Sequence, residues 1–164
     1  MARNREDQTA YESLELTETP AAASRSHLLE SIEDYWRDRR DGGRLPDHGD
    51  FSPEKLLPWV GHASLIDVGE GGRAFRWRLQ GSRFAEVTGR DDDGRWFREV
   101  YDGQVLKGFE RICRAAAEHR EPAGFRGELR VVGGTAVAFL ALVLPLAEQT
   151  DEVDRLVLAV DFLS

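Results

Sequence analysis

Ala136-Val137-Ala138-Phe139-Leu140-Ala141-Leu142-Val143-Leu144-Pro145 is the stretch that decides the fold. No polar side chain interrupts it. Successive residues of a strand face opposite sides of a sheet, so a strand with this composition needs cover on both sides and belongs in the middle. It is too short to span a bilayer, for which a helix takes about 20 apolar residues. A buried helical segment is the competing reading. The Val and Phe content and the Gly133-Gly134 turn just before favour strand.

The neighbouring segments supply partners. Phe125, Gly127, Leu129 and Val131 alternate with Arg126, Glu128 and Arg130, a strand wet on one face and expected at a sheet edge. After the central strand, Leu156, Leu158, Val160 and Phe162 alternate with Val157, Ala159 and Asp161. Upstream, strands over 62–68 and 73–80 flank Gly69-Glu70-Gly71-Gly72 and form a hairpin. Pairing Val68 with Arg73 places Ser64, Ile66, Val68, Phe75, Trp77 and Leu79 on one face. Leu65, Asp67, Arg76 and Arg78 take the other, with Asp67 and Arg76 as diagonal neighbours. Three helical pieces lie between the hairpin and the last strands. The first, over 83–88, is capped by Ser82; the second holds Trp96, Phe97, Val100 and Tyr101. The third, over 104–118, carries Val105, Leu106, Phe109, Ile112 and Cys113 on one side.

Before the hairpin, Ser26 caps a helix whose Leu28, Leu29, Ile32, Tyr35 and Trp36 form one apolar stripe, and Gly42-Gly43 stops it. That stripe must bury against the sheet or against a second protomer. Residues 1–24 show no apolar periodicity and are expected to be a disordered tail, leaving 25–164 as a single domain. The net charge of −8 argues against non-specific binding to nucleic acid or an anionic membrane. The arginine clusters (Arg37, Arg39, Arg40 and Arg73, Arg76, Arg78) are interleaved with acids and read as solvated faces. Cys113 has no cysteine to pair with, and the first residues lack a secretory apolar core, so a cytoplasmic protein is expected.

Helix, hairpin, several short helices, then three antiparallel strands is the order of a PAS-like α+β fold: a five-stranded sheet covered on one face by the helices between its second and third strands. The residues resemble a PAS-like family common in alphaproteobacteria. The resemblance rests on the segments around Trp36, Leu45-Pro46, Asp50-Phe51-Ser52-Pro53 and Leu57-Pro58. It continues through Phe75-Arg76-Trp77-Arg78-Leu79-Gln80-Gly81-Ser82 and Gly89-Arg90-Asp91-Asp92-Asp93-Gly94-Arg95. It spans roughly 26–163 and implies strand order 2-1-5-4-3 and a sensory or scaffolding module without a general catalytic activity. Pro46, Asp50, Pro53, Arg78, Gly81, Ser82 and Gly94 are the motif positions that carry it. The sequence departs from the family pattern at His48, where a basic residue is common, at Ser82, where Thr is common, and at Asp92-Asp93, where Leu-Thr is common.

Four functional readings compete. A pocket for a flat, mostly apolar ligand would lie among Ile66, Phe75, Trp77, Phe84, Trp96, Phe109, Ile112 and Phe139; the alternative is that these rings fill the core. Haem or metal finds little support, because His27, His48, His62 and His119 are scattered; His62 at a strand start is the one candidate for an inner face. Asp91-Asp92-Asp93-Gly94 lacks the acid that a calcium loop needs six residues past its glycine, where Val100 stands. An enzyme of the ketosteroid-isomerase-like kind would need a pocket carboxylate, with Asp67 and Asp161 the acids inside strands otherwise rich in apolar residues. The fourth reading is an interaction module, with the Leu28 to Trp36 stripe as dimer or partner helix. The expectation is thus a non-enzymatic regulatory module that acts through protein contacts. It would be a homodimer with an unidentified protein partner and no nucleic acid or membrane, either gated by a small apolar or aromatic ligand or a ligand-free scaffold. The sequence names no cofactor.

Overall fold

The computed structural model describes residues 11–18, 26–131, 133–148 and 150–163. In chain order the elements are β1 (Tyr11–Glu18), α1 (His27–Arg39), β2 (Ala63–Gly69), β3 (Ala74–Leu79), α2 (Ser82–Thr88), α3 (Phe97–Val100), α4 (Gly103–His119), β4 (Ala123–Val131), β5 (Ala136–Leu146) and β6 (Arg155–Leu163). Two short 3-10 turns, His48–Phe51 and Leu57–Trp59, join α1 to β2. The strands form one antiparallel sheet in the order β1-β4-β5-β6-β2-β3.

β5 is the central strand that its composition demands, hydrogen-bonded to β4 on one side and β6 on the other. Its two faces feed two separate cores. Phe139, Ala141 and Val143 point to the inner face, under α2, α3 and α4, with Phe84, Phe97, Phe109 and Ile112. Leu140, Leu142, Leu144 and Leu146 point to the outer face, under α1. There Leu29, Ile32 and Trp36 are each 0% exposed, a burial worth about 1.5–3 kcal/mol per side chain. Leu28 and Tyr35 pack at the margin.

Two hydrogen bonds staple α1 to the sheet: Ser26 Oγ donates to Asp161 Oδ2 (2.8 Å) and Trp36 Nε1 donates to the Pro145 carbonyl (2.8 Å). Within the single chain the stripe is therefore covered by the chain's own sheet.

Four expectations need correction. Ser82 is the first residue of α2, and Gly81 takes the cap position without a side-chain hydrogen bond. Tyr11–Glu18, placed in the tail, is a strand; residues 1–10 and 19–25 lie outside the described residues. β4 is consequently interior, with β1 on its far side. The five-strand order 2-1-5-4-3 holds for β2 to β6, and β1 adds a sixth strand. Finally, the hairpin register is shifted by two residues: Val68 faces Phe75, Ile66 faces Trp77, and Asp67 lies directly opposite Arg76. An irregularity between Leu65 and Ile66 then brings Leu65 opposite Leu79 and turns Leu79 toward the outer core.

Candidate functional site

The inner face holds the cavity nearest to the expected pocket. Leu14, Phe84, Phe109, Ile112, Leu129, Phe139, Ala141, Leu158, Val160 and Phe162 line it, and its volume is about 20 Å³. That is room for one or two water-sized spheres, against the roughly 300–1,000 Å³ of a small-molecule site.

Four of the expected lining residues, Phe84, Phe109, Ile112 and Phe139, do meet there. Ile66, Phe75 and Trp77 belong to the same core but sit away from the cavity, packed into an aromatic cluster. In it Trp77 lies 5.0 Å from Phe97 and 5.1 Å from Phe84, and Tyr101 stacks on Phe109 at 4.3 Å. The Trp77 indole N–H donates to the Tyr101 hydroxyl at 2.9 Å, so these two polar atoms are satisfied inside the cluster.

Trp96 is the misplaced member. Its segment runs alongside β3, with Trp77 N donating to Arg95 O at 2.9 Å and Gly94 N to Trp77 O at 2.6 Å. The ring lies over Gly69 and beneath the Arg76 guanidinium (5.2 Å), at a shallow surface cleft with Glu70, Phe75 and Arg98. Spacing missed Leu14, because its strand was not recognised. Leu158, Val160 and Phe162 were legible as one face of an alternating strand.

The candidate acids lie on the opposite side of the sheet. Asp67 is bound by Arg76 Nη2 at 2.7 Å, Arg155 Nε at 3.3 Å and Arg78 Nη1 at 3.5 Å. Burial alone would raise its carboxyl, but the Arg76 hydrogen bond and the three guanidinium charges outweigh it and hold the group below its ordinary range. Asp161 accepts from Ser26. Neither acid faces the inner cavity, so the pocket carboxylate of an isomerase-like site is not supplied by them. Burial pushes the Cys113 thiol far up, which keeps it in the unreactive form.

His48 places Nε2 2.7 Å from Asp154 and Nδ1 3.2 Å from Glu148, tying the turn before β2 to the β5–β6 loop. His62 Nδ1 lies 3.2 Å from the Val160 carbonyl. Among the described residues no group of three or more His, Cys, Asp or Glu could hold a metal ion.

Five of the motif positions prove to be joints. Gly81 sits where an added Cβ would meet Gly61 O at 2.5 Å, and its N–H donates to Ser64 Oγ at 2.8 Å. Asp50 N donates to the capping Asp47 Oδ1 at 3.2 Å, and the Asp50 carbonyl accepts from the Tyr35 hydroxyl at 2.6 Å. The Pro46 carbonyl accepts from Ala147 N at 3.1 Å. Gly94 takes φ +81°, and Arg78 reaches Asp67.

A polar knot closes the end of β3: Gln80 N donates to Asp93 Oδ1 (2.6 Å), and Asp92 N donates to Gln80 Oε1 (2.8 Å). These contacts fasten the hairpin to the loops and helices that roof the inner core.

The family model described as PAS domain matches residues 24–160. The chain belongs to the PAS domain family. No curated protein matches it significantly. The PAS match begins after β1 has ended at Glu18, so the sixth strand lies outside the matched domain. No helix among the described residues is long and apolar enough to cross a membrane.

Proposed function

We propose that this PAS domain is a non-catalytic regulatory module that acts through contacts with another protein, its core working as a packed body. The observation that carries the reading is the inner cavity: about 20 Å³, lined by apolar side chains alone. Such a lining offers no group to hold or move a proton, and a flat ligand would have to separate the rings of Phe84, Phe109 and Phe139. The membership in a family of sensory and regulatory modules points the same way. A homodimer built on this chain would use a surface other than the α1 stripe, because Leu29, Ile32 and Trp36 are already buried. A cytoplasmic setting agrees with a single, buried cysteine.

Denaturing mass spectrometry and an absorption spectrum of freshly purified protein test the closed core. The expected result is the mass of the chain alone and the absorption of its own tryptophan and tyrosine. A compound retained at near one-to-one ratio would overturn the closed core and install the ligand-gated sensor in its place.

A further inference from the structure

Both ring nitrogens of His48 meet a carboxylate. Nε2 lies 2.7 Å from Asp154 Oδ1, and Nδ1 lies 3.2 Å from Glu148 Oε2. The two acids stand in the β5–β6 loop, whereas His48 opens the turn His48–Phe51 on the way from α1 to β2. The His48 backbone N–H also donates to Glu148 Oε2, at 3.3 Å. The side chain is 23% exposed, enough for its ring to exchange protons with water.

A neutral imidazole has one N–H and one lone pair, and a lone pair turned toward a carboxylate oxygen is repelled. Only the imidazolium donates to both acids at once. The two acids are not equally anchored without it. The Asp154 backbone donates to the Leu146 carbonyl at 3.2 Å and accepts from Val68 N at 3.0 Å. Among the described residues the Glu148 side chain has one other partner, the His48 main chain.

The other charged groups nearby are engaged elsewhere or add to the negative side. On the turn itself, Asp47 and Asp50 each accept the other's backbone N–H. At the start of β6, Arg155 turns to Asp67. Asp151 and Glu152 belong to the same loop as the two acids, and Arg44, from the segment after α1, lines a cleft with Thr150 and Asp151. The loop is also a wall of a larger opening. Thr150 to Asp154 border a cleft of about 850 Å³, whose other sides are the turn from Gly69 to Arg73 and the end of α4 with Arg114, Glu118 and Arg120.

We propose that His48 is a pH-operated latch: its imidazolium clamps Glu148 and Asp154 and fixes the β5–β6 loop, and loss of its proton releases Glu148 and lets that wall of the cleft move. The neutral ring keeps its hydrogen on Nε2, against Asp154, where the contact is shorter. The latch is therefore closed on the acid side of the histidine's titration and open on the basic side. The device needs neither a ligand in the core nor a particular partner.

NMR of the full chain labelled with 15N tests it between about pH 5 and pH 8, where an imidazole changes charge. The ring nitrogens of His48 report which of them carry hydrogen. The amides of His48 and Ala147, which donate to Glu148 Oε2 and the Pro46 carbonyl, report how firmly the joint is held. As the ring passes from two N–H groups to one, on Nε2, their exchange, corrected for its intrinsic pH dependence, should speed up about threefold to tenfold. The order parameters of Thr150, Asp151 and Glu152 should fall over the same titration.

His48→Gln should remove the response. Glu148→Gln should remove it as well while His48 goes on titrating, because a side-chain amide can meet either form of the ring. A ring that titrates while the joint stays unchanged would overturn the proposal, and so would a response that survives Glu148→Gln. A ring whose charge does not change across the range, or a neutral ring with its hydrogen on Nδ1, would overturn it too. The unmodified chain supplies these ring and exchange readouts by itself, so a variant that misfolds leaves the decision intact.

Discussion

Replacing Asp92 by Asn should stabilise the protein, and the gain should grow with pH. Asp92 is 1% exposed. Arg90 Nη2 meets its Oδ1 at 3.2 Å, whereas Oδ2 has no hydrogen-bond partner. Burial raises its carboxyl above the ordinary aspartate value; the charge and hydrogen bond of Arg90 and the charge of Arg95 pull the other way without cancelling it.

The sign follows from linkage. Below the unfolded value of 3.8 both states carry the proton and no penalty exists. As the pH climbs from there through the higher folded value, the unfolded chain ionises first, and the penalty is fully present above that. An orphaned buried polar atom costs about 1–3 kcal/mol, more when charged. The amide keeps an acceptor for Arg90 but leaves an N–H unmatched, so the net gain at neutral pH is about 1 kcal/mol. In a chain of this length that is about 2–4 °C in melting temperature. Urea unfolding of both proteins between about pH 4 and pH 8 reads it as a difference of differences, in which all other titrating groups cancel. An advantage that stays constant across that range, or shrinks toward pH 8, would refute the reasoning.

Asp67→Asn should behave in the opposite way. Its carboxyl is held low by Arg76, Arg155 and Arg78, so its contribution is present above the unfolded value of 3.8 and lost as the pH falls through the lower folded one. The cost at neutral pH is about 1–3 kcal/mol and should fade in acid; urea midpoints over the same pH series check it, and a cost that persists in acid would count against the ion-pair account. Trp36→Phe removes the donor to the Pro145 carbonyl, leaves that oxygen unpaired and shrinks a fully buried ring. The expected loss is about 2–4 kcal/mol, read by thermal melting, and a near-neutral result would mean that α1 is not stapled to the sheet.

The central strand was legible because nothing polar interrupts it, and its two-sided cover then dictated where α1 and the inner helices must go. β1 was not. A register irregularity between Tyr11 and Ser13 breaks its alternation, and only Leu14 and Leu16 face inward, too short a pattern to separate from a polar tail. The missed signal sat elsewhere in the chain. Gly127, in the interior of an otherwise alternating strand, is the position at which a further backbone comes close. Trp96 failed for a different reason. Aromatic content favoured the core, but the segment before α3 adds itself to β3 by main-chain hydrogen bonds, and that pairing turns the indole onto Gly69 and Arg76. Composition does not report such a pairing, because the bonds belong to the backbone.

The same covering contacts leave little of the sheet bare. The inner face of β5 and β6 lies under α2 to α4, and the outer face under α1. On the β3 side, Gly94 and Arg95 take up the Trp77 carbonyl and amide, so that margin is bonded at its middle. Past β4 the outward side chains are Ser13, Glu15 and Thr17 against Arg130, Glu128 and Arg126, a polar surface with no apolar patch to bury. The remaining margin, past β4, is held by β1, whose Leu14 and Leu16 are partly buried and whose residues precede the matched domain. A strand edge offers main-chain donors and acceptors that a polar face does not. The sixth strand thus closes two things at once, the β4 margin by its backbone and one wall of the inner cavity by Leu14.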